Sequence, residues 1–446
     1  MSFVLGEYRI VGRRASEIAA SVEAGVGSGA LAPGVLLPPM RELAAVLGVN
    51  PNTVAAAYRT LRERGVIETD GRRGSRVRAR PASAPRDALR MPVPEGVRDL
   101  ASGNPDVRLL PALDRALAGA ARRYAAAPTL YGEEPVAPEL ARLARAELDA
   151  DGVPDGPLAV TSGALDGIER VLAAHLRPGD AVAVEDPGWG SVLDLAPALG
   201  LRVLPVAVDD EGPVVAAVRR ALAEGVRALV VTSRAQNPTG AAVSAPRAAE
   251  LRALLAEHPQ VLVIDDDHGH GIVDLPLCPL GGVTRHWALV RSTAKAYGPD
   301  LRLAVLTGDA VTLDRVRGRQ RLGPGWVSRL LQYAVVELLS SGAVDRAAVA
   351  RSYGERRDGL VAALRERGVA ARGRSGMNVW VPVADETAVV TRLLSAGWAA
   401  TAGARFRVDS GPGVRITVSS LTPEEVPALA AALAAAVRPA PGGRFD

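Results

Sequence analysis

Lys295 is the only lysine in a chain whose 53 basic residues are otherwise all arginine. A guanidinium stays charged and cannot form a Schiff base, whereas a desolvated amine can. A chain that uses arginine wherever a charge suffices keeps a lysine where the amine itself must react. Lys295 follows the apolar run Trp287-Ala288-Leu289-Val290 and ends the segment Ser292-Thr293-Ala294-Lys295, with Arg302 a little further on. An amine at the end of a buried strand, near a hydroxyl and an arginine, suits an aldehyde cofactor that carries a phosphate. The residues point to pyridoxal phosphate held on Lys295.

Three other segments carry chemistry. Asp265-Asp266-Asp267-His268 closes an apolar run. A carboxylate there can hold a proton on a pyridine nitrogen and turn the ring into an electron sink. A metal site is the rival reading, because Asp266, His268 and His270 are all ligand types. No metal is expected, since it would leave the lysine and the phosphate sites unexplained. Thr161-Ser162-Gly163-Ala164 follows a strand and opens a helix, so its N–H groups and hydroxyl can hold a phosphate. Asn237-Pro238-Thr239-Gly240 follows another strand and reads equally well as an ordinary turn.

These residues need a scaffold. After residue 99 apolar strands alternate with helices: Leu158–Thr161, Ala181–Glu185, Arg202–Pro205, Ala228–Thr232, Val261–Asp265, Trp287–Arg291 and Leu301–Leu306. That alternation predicts a largely parallel sheet wrapped by helices. Residues 370–435 read as a smaller α+β piece ending in an Ala-rich helix from Pro423.

The first 80 residues differ in character. They hold 12 arginines against 7 acidic residues, a net +5, while the whole chain carries only +4. A basic module on a near-neutral body implies an anionic partner at one end. Ile18, Val22 and Val26 recur at steps of four, and a short helix over 40–47 turns Leu43, Val46 and Leu47 inward. After Gly48-Val49, Asn50 can cap a second helix that starts at Pro51 and buries Val54, Tyr58 and Leu61. A hairpin follows around Asp70-Gly71, with Arg72, Arg73 and Arg76 at its tip. This is a winged helix-turn-helix. Asn52 and Thr53 lie opposite the buried stripe, where they can reach base edges, and the hairpin arginines can reach phosphates. The organisation is therefore a DNA-binding domain over 1–77, a proline-rich linker over 78–98 and a catalytic-type body over 99–446.

Leu37-Pro38-Pro39-Met40-Arg41-Glu42-Leu43-Ala44 and Leu47-Gly48-Val49-Asn50-Pro51-Asn52-Thr53-Val54, with Ala57-Tyr58 and Leu61, resemble the GntR-type regulator signature. The resemblance implies that Arg41, Asn50, Asn52 and Thr53 touch DNA. The segments of the body, in their order, resemble the fold type I, aspartate-aminotransferase-like pyridoxal phosphate proteins. That likeness implies Lys295 as the Schiff-base lysine, with Ser162, Gly163, Ala164, Ser292 and Arg302 around the phosphate. It also implies Asp266 on the ring nitrogen, Asn237 on the ring hydroxyl and Trp189 on the ring face. Arg415 would grip an amino-acid carboxylate, and Tyr131 would reach the neighbouring subunit's phosphate, so a homodimer is expected.

Together the two parts resemble the MocR-type transcription regulators, whose dimers are domain-swapped and head-to-tail. Three residues depart from that pattern: His268 stands where tyrosine is usual, Leu165 where glutamine is frequent and Ala294 where serine often precedes the lysine. A histidine can still donate a hydrogen bond to the cofactor, so binding is expected to survive while turnover falls. The expected function is a regulator that binds operator DNA and senses pyridoxal phosphate or an amino-acid-like effector, with vitamin B6 or amino-compound genes as targets. The alternative is a working aminotransferase with a DNA-binding head. Cys278 is the only cysteine, and neither a leader nor a membrane span is evident, so a cytoplasmic location is expected.

Overall fold

The computed structural model describes residues 3–5, 8–27, 30–32, 34–63, 66–69, 74–77 and 93–438. It divides into two compact units, one built on residues 1–85 and the other carrying most of the remaining chain.

In the first unit, helices Ala15–Gly27, Met40–Leu47 and Pro51–Glu63 precede the antiparallel pair Ile67–Thr69 and Ser75–Val77. Ile18, Val22, Leu43, Leu47, Val54, Tyr58 and Leu61 form its core, as their spacing predicts. Val46 is only half-buried, and Ala44 takes the inward place beside Leu43. Gly48 closes the helix Met40–Leu47 with a φ of 65°, a left-handed conformation that glycine adopts without strain. The buried Tyr58 hydroxyl donates to the Pro38 carbonyl at 2.8 Å, which ties the third helix to the chain entering the second. An N-terminal hairpin, Phe3–Leu5 with Tyr8–Ile10, was not legible in the sequence.

The second unit is organised by a sheet whose strands lie in the order Leu158–Thr161, Ala304–Gly308, His286–Ser292, Leu262–Asp267, Ala228–Thr232, Ala181–Asp186, Arg202–Asp209 and Gly212–Pro213. Ala181–Asp186, Ala228–Thr232, Leu262–Asp267 and His286–Ser292 run parallel, and Ala304–Gly308 runs antiparallel to both its neighbours. Helices cover both faces of such a sheet, so its strands read as continuous apolar runs. Three of the four parallel strands are buried at every position. The strand expected at Leu301–Leu306 begins instead at Ala304, because Pro299–Leu301 forms a 3-10 turn.

The smaller part carries an antiparallel sheet of Asn378–Pro382, Gly413–Thr417 and Thr401–Ala402. It packs with helices Arg346–Glu366, Glu386–Ser395 and Val426–Val437 around its own core of Leu360, Leu393, Ile416 and Leu429. Arg98, read as the end of the linker, belongs to this body: it pairs with Trp398 in a short parallel bridge, and its Nε lies 2.7 Å from Glu425. No described helix is long and apolar enough to cross a membrane.

Candidate functional site

Register puts the chemistry on one edge. Thr232 faces Asp266, Asp266 faces Val290, Ser292 faces Ala304, and Ala304 faces Thr161. The carboxyl ends of these strands therefore deliver Ser162, Trp189, Asn237, Asp266, His268 and Lys295 to the same side of the sheet. Ligands of open α/β sheets bind at this edge.

Lys295 sits in the short helix Ala294–Tyr297, and its Nζ donates to the Gly103 carbonyl at 2.7 Å. Burial and the nearby Arg415 guanidinium lower its pKa to about 8. Asp266, almost wholly buried, has one oxygen 2.9 Å from His268 Nδ1. Its other oxygen, Oδ1, is buried with no hydrogen-bond partner among the described residues. A buried carboxylate oxygen without a donor is costly, and this atom can accept an N–H from a ligand. His268 Nε2 is 2.9 Å from the Ala235 carbonyl, and its ring lies 6.3 Å from that of Trp189.

The segment read as a phosphate cradle is a turn from strand Leu158–Thr161 into a helix. Gly163 precedes helix Ala164–His175 with a φ of 99°, so the helix N-terminus opens at Ala164. A Cβ on Gly163 would come within 2.8 Å of Arg302 Nη2, and that same nitrogen donates to the Ser162 carbonyl at 2.7 Å. Arg302 itself adopts a left-handed φ of 45°. Ser162 N–H is committed to Asp166 at 2.8 Å, which leaves its hydroxyl for a ligand. Ser292 Oγ accepts from Ala294 N–H at 3.2 Å.

Arg415, buried in mid-strand, donates to Asn237 Oδ1 at 3.1 Å and to Thr401 Oγ1 at 3.2 Å, and also bonds the Ala101 carbonyl. Its guanidinium lies 4.8 Å from the Phe406 ring centroid. Tyr131 is on the body's surface, 93% exposed, edge-on to Trp326 at 5.5 Å.

The rival metal ligands part company. His268 joins Asp266, whereas His270 turns to Glu147 at 3.2 Å. Asp151, Asp267 and His270 do lie close together. Asp267, however, is held by Arg234 and Arg291, each at 2.9 Å, so these carboxylates answer guanidinium charge.

Sequence reasoning missed Glu185, a fully buried carboxyl at a strand end whose pKa burial raises to about 7, against hydrogen bonds from Thr232 and Gln236. The signal was available, since Glu185 ends an apolar run as Asp265 does. The parts played by Gly103, Thr401 and Phe406 had no local signal.

In the head, Asn50 Oδ1 accepts from Asn52 N–H at 2.8 Å and caps helix Pro51–Glu63. Arg41, Asn50 and Asn52 are exposed and Thr53 is half-buried. Arg72 and Arg73 lie outside the described residues.

A type I aminotransferase body with an unpartnered carboxylate oxygen, a lone half-buried lysine and a helix-terminal cradle defines a pyridoxal phosphate site, and the residues present fit that cofactor. The model of the aminotransferase class I and II family matches residues 95–433, and that of the bacterial regulatory proteins of the gntR family matches residues 14–77. The chain belongs to the MocR-type regulators, a gntR-type head on an aminotransferase class I and II body. It is 41% identical, over 95% of its length and 98% of the relative's, to the vitamin B6 salvage pathway transcriptional repressor PtsJ of Salmonella typhimurium. Thermus thermophilus aspartate aminotransferase with maleate is 26% identical, with a TM-score of 0.67 over 84% of this chain and 98% of that one. The α-aminoadipate aminotransferase LysN of the same organism, solved with N-(5'-phosphopyridoxyl)-L-leucine, shares the fold at 23% identity and a TM-score of 0.65, over 77% and 93% of the two chains.

Proposed function

We propose that the chain represses or activates vitamin B6 supply genes by binding operator DNA through residues 1–77 and sensing pyridoxal phosphate through residues 99–446, with 78–98 as the joint. The name of the Salmonella relative supports the choice of genes. The carrying observation is the shared edge, where the only lysine, an unpartnered Asp266 oxygen and the Gly163–Arg302 cradle meet in a chain with a gntR-type head.

When bound, pyridoxal phosphate supplies an aldehyde that condenses with an amine and a ring that withdraws electrons. Lys295 supplies the amine. Its lowered pKa makes about a quarter of it neutral at pH 7.5, against about 0.1% for an ordinary lysine. Asp266 Oδ1 accepts the ring N–H. Ser162, Gly163, Ala164, Ser292 and Arg302 hold the phosphate at the helix N-terminus. Asn237, its oxygen taken by Arg415, offers its amide N–H to the ring hydroxyl. Trp189 covers the ring face, and Arg415 takes the carboxylate of an amino-acid-like effector. Tyr131 points outward to reach the phosphate in the partner of a domain-swapped, head-to-tail homodimer. Arg41, Asn50, Asn52 and Thr53 face the operator, with Arg72 and Arg73 on the phosphate backbone. Ligand binding acts on DNA affinity because it favours one conformation of the body over another.

A gel-shift titration with pyridoxal phosphate, paired with a transamination assay on a panel of amino donors, tests the reading. The expected result is a roughly 5- to 150-fold change in operator affinity with slow, partial exchange of amino groups. Rapid turnover with DNA affinity indifferent to the cofactor overturns it.

A further inference from the structure

His268 occupies the place where the family resemblance implies tyrosine, and both its ring nitrogens are already committed. Nδ1 lies 2.9 Å from Asp266 Oδ2 and Nε2 lies 2.9 Å from the Ala235 carbonyl. A carbonyl oxygen can only accept, and so can an ionised carboxylate. A neutral imidazole has one N–H and would satisfy only one of these contacts. Two hydrogen bonds to two acceptors require two N–H groups. With both contacts made as hydrogen bonds, the histidine donates twice and has no N–H left for a cofactor, unlike the tyrosine it replaces.

We propose that His268 is held as an imidazolium which shares the Asp266 carboxylate with the cofactor ring, and that it is a positioning residue acting through Asp266 and through its charge on Lys295. This rests on reading the pocket as a pyridoxal phosphate site. The charged groups about it support the arrangement. Burial opposes the imidazolium and so does the Lys295 charge, but Asp266 outweighs them, by charge and by hydrogen bond, and raises the pKa of His268. Glu185 lies near enough to Asp266 for the two carboxyls to repel, and it keeps its proton to about pH 7. Arg415 adds positive charge on the Lys295 side, and Asp267 is turned away to Arg234 and Arg291.

Two consequences follow. An Asp266 carboxylate divided between two N–H donors holds the ring proton less firmly than one devoted to it, which weakens the electron sink. The His268 and Lys295 charges also oppose one another, and a cation held on His268 favours the neutral form of the lysine nitrogen, free or linked to the cofactor. Both changes preserve capture of the cofactor and slow proton-transfer chemistry, as a sensor tolerates and an aminotransferase does not.

The chain has five histidines: His175, His258, His268, His270 and His286. Ring-nitrogen NMR of the full-length protein labelled with 15N-histidine reads the state of His268 directly. Its signals are assigned by elimination, using His→Gln variants at the other four positions, so no change at His268 is needed. Two protonated ring nitrogens at pH 7.5, before any pyridoxal phosphate is added, are expected. A bare ring nitrogen at pH 7.5 overturns the proposal. In the second arm, His268→Phe is loaded with pyridoxal phosphate and the pH titration of the cofactor's visible band is followed. Removal of the charge should raise its midpoint by roughly 1–3 pH units. An unmoved midpoint refutes the electrostatic role. Absence of any visible band in the parent protein would instead refute the cofactor reading and leave the NMR result to decide the imidazolium.

Discussion

Gly163→Ala should cripple the cofactor cradle through a residue it never replaces. Position 163 has a φ of 99°, which costs an L-residue about 1–3 kcal/mol of backbone strain. The added Cβ would stand 2.8 Å from Arg302 Nη2 and 3.1 Å from its central carbon. The far end of an exposed arginine yields more easily than the helix start, so the guanidinium should swing away and give up its 2.7 Å bond to the Ser162 carbonyl. A ligand phosphate then loses one charge-assisted partner, worth roughly 1.5–3 kcal/mol, or about 10- to 150-fold in Kd. Equilibrium titration with pyridoxal phosphate by absorbance measures this loss, and thermal unfolding of the same samples separates it from the strain. Arg302→Ala should lose affinity to the same degree, and the double variant should be no worse than Arg302→Ala alone, because both changes remove one contact. Parent-like affinity in Gly163→Ala, or losses that add in the double variant, would show that Gly163 does not act through Arg302.

Lys295→Ala should abolish the visible absorbance and borohydride labelling of the 295 peptide while leaving the melting curve intact. Lys295→Arg should fail equally, because it keeps the charge and lacks a neutral amine. In the parent, with the amine at about pKa 8, the rate of covalent capture should rise about tenfold per pH unit below that value and level off above it. Glu185, raised to about 7 from 4.5, binds more protons folded than unfolded between those values, so its contribution to stability falls as pH climbs through that window. Glu185→Gln should consequently stabilise the protein on the order of 3 kcal/mol above pH 7 and hardly at all near pH 4.5, as chemical denaturation at the two pH values will register. In the head, Asn52→Ala or Thr53→Ala should cost about 1–3 kcal/mol at particular base pairs. Arg72→Ala should weaken binding to all sequences and flatten its salt dependence. Binding titrations over an operator library and a salt series separate these effects.

Local chemistry in the sequence determined much of this protein. A single lysine in an arginine-rich chain, a Gly at a strand-to-helix turn and a carboxylate closing an apolar run are each dictated by what one atom must do. Such demands leave residue types that no neighbour can replace. Helix periodicity and turn residues likewise specified the head, because its buried stripes and its Asn50 cap depend on spacing within a few residues. The tertiary structure decided how far-apart groups share charge. The Arg234–Asp267–Arg291 cluster, the Gly103 carbonyl under Lys295 and the Phe406 ring beneath Arg415 join segments remote in sequence, and no local pattern announces them. The adjacent Asp265, Asp266 and Asp267 look alike in the sequence. Their surroundings separate them into a carboxyl that burial raises to about 7, a partner for His268 and a counter-ion for two arginines. The role of His268 belongs to the same class: the sequence names an imidazole in tyrosine's place, and only the acceptors folded around it decide that it carries two protons.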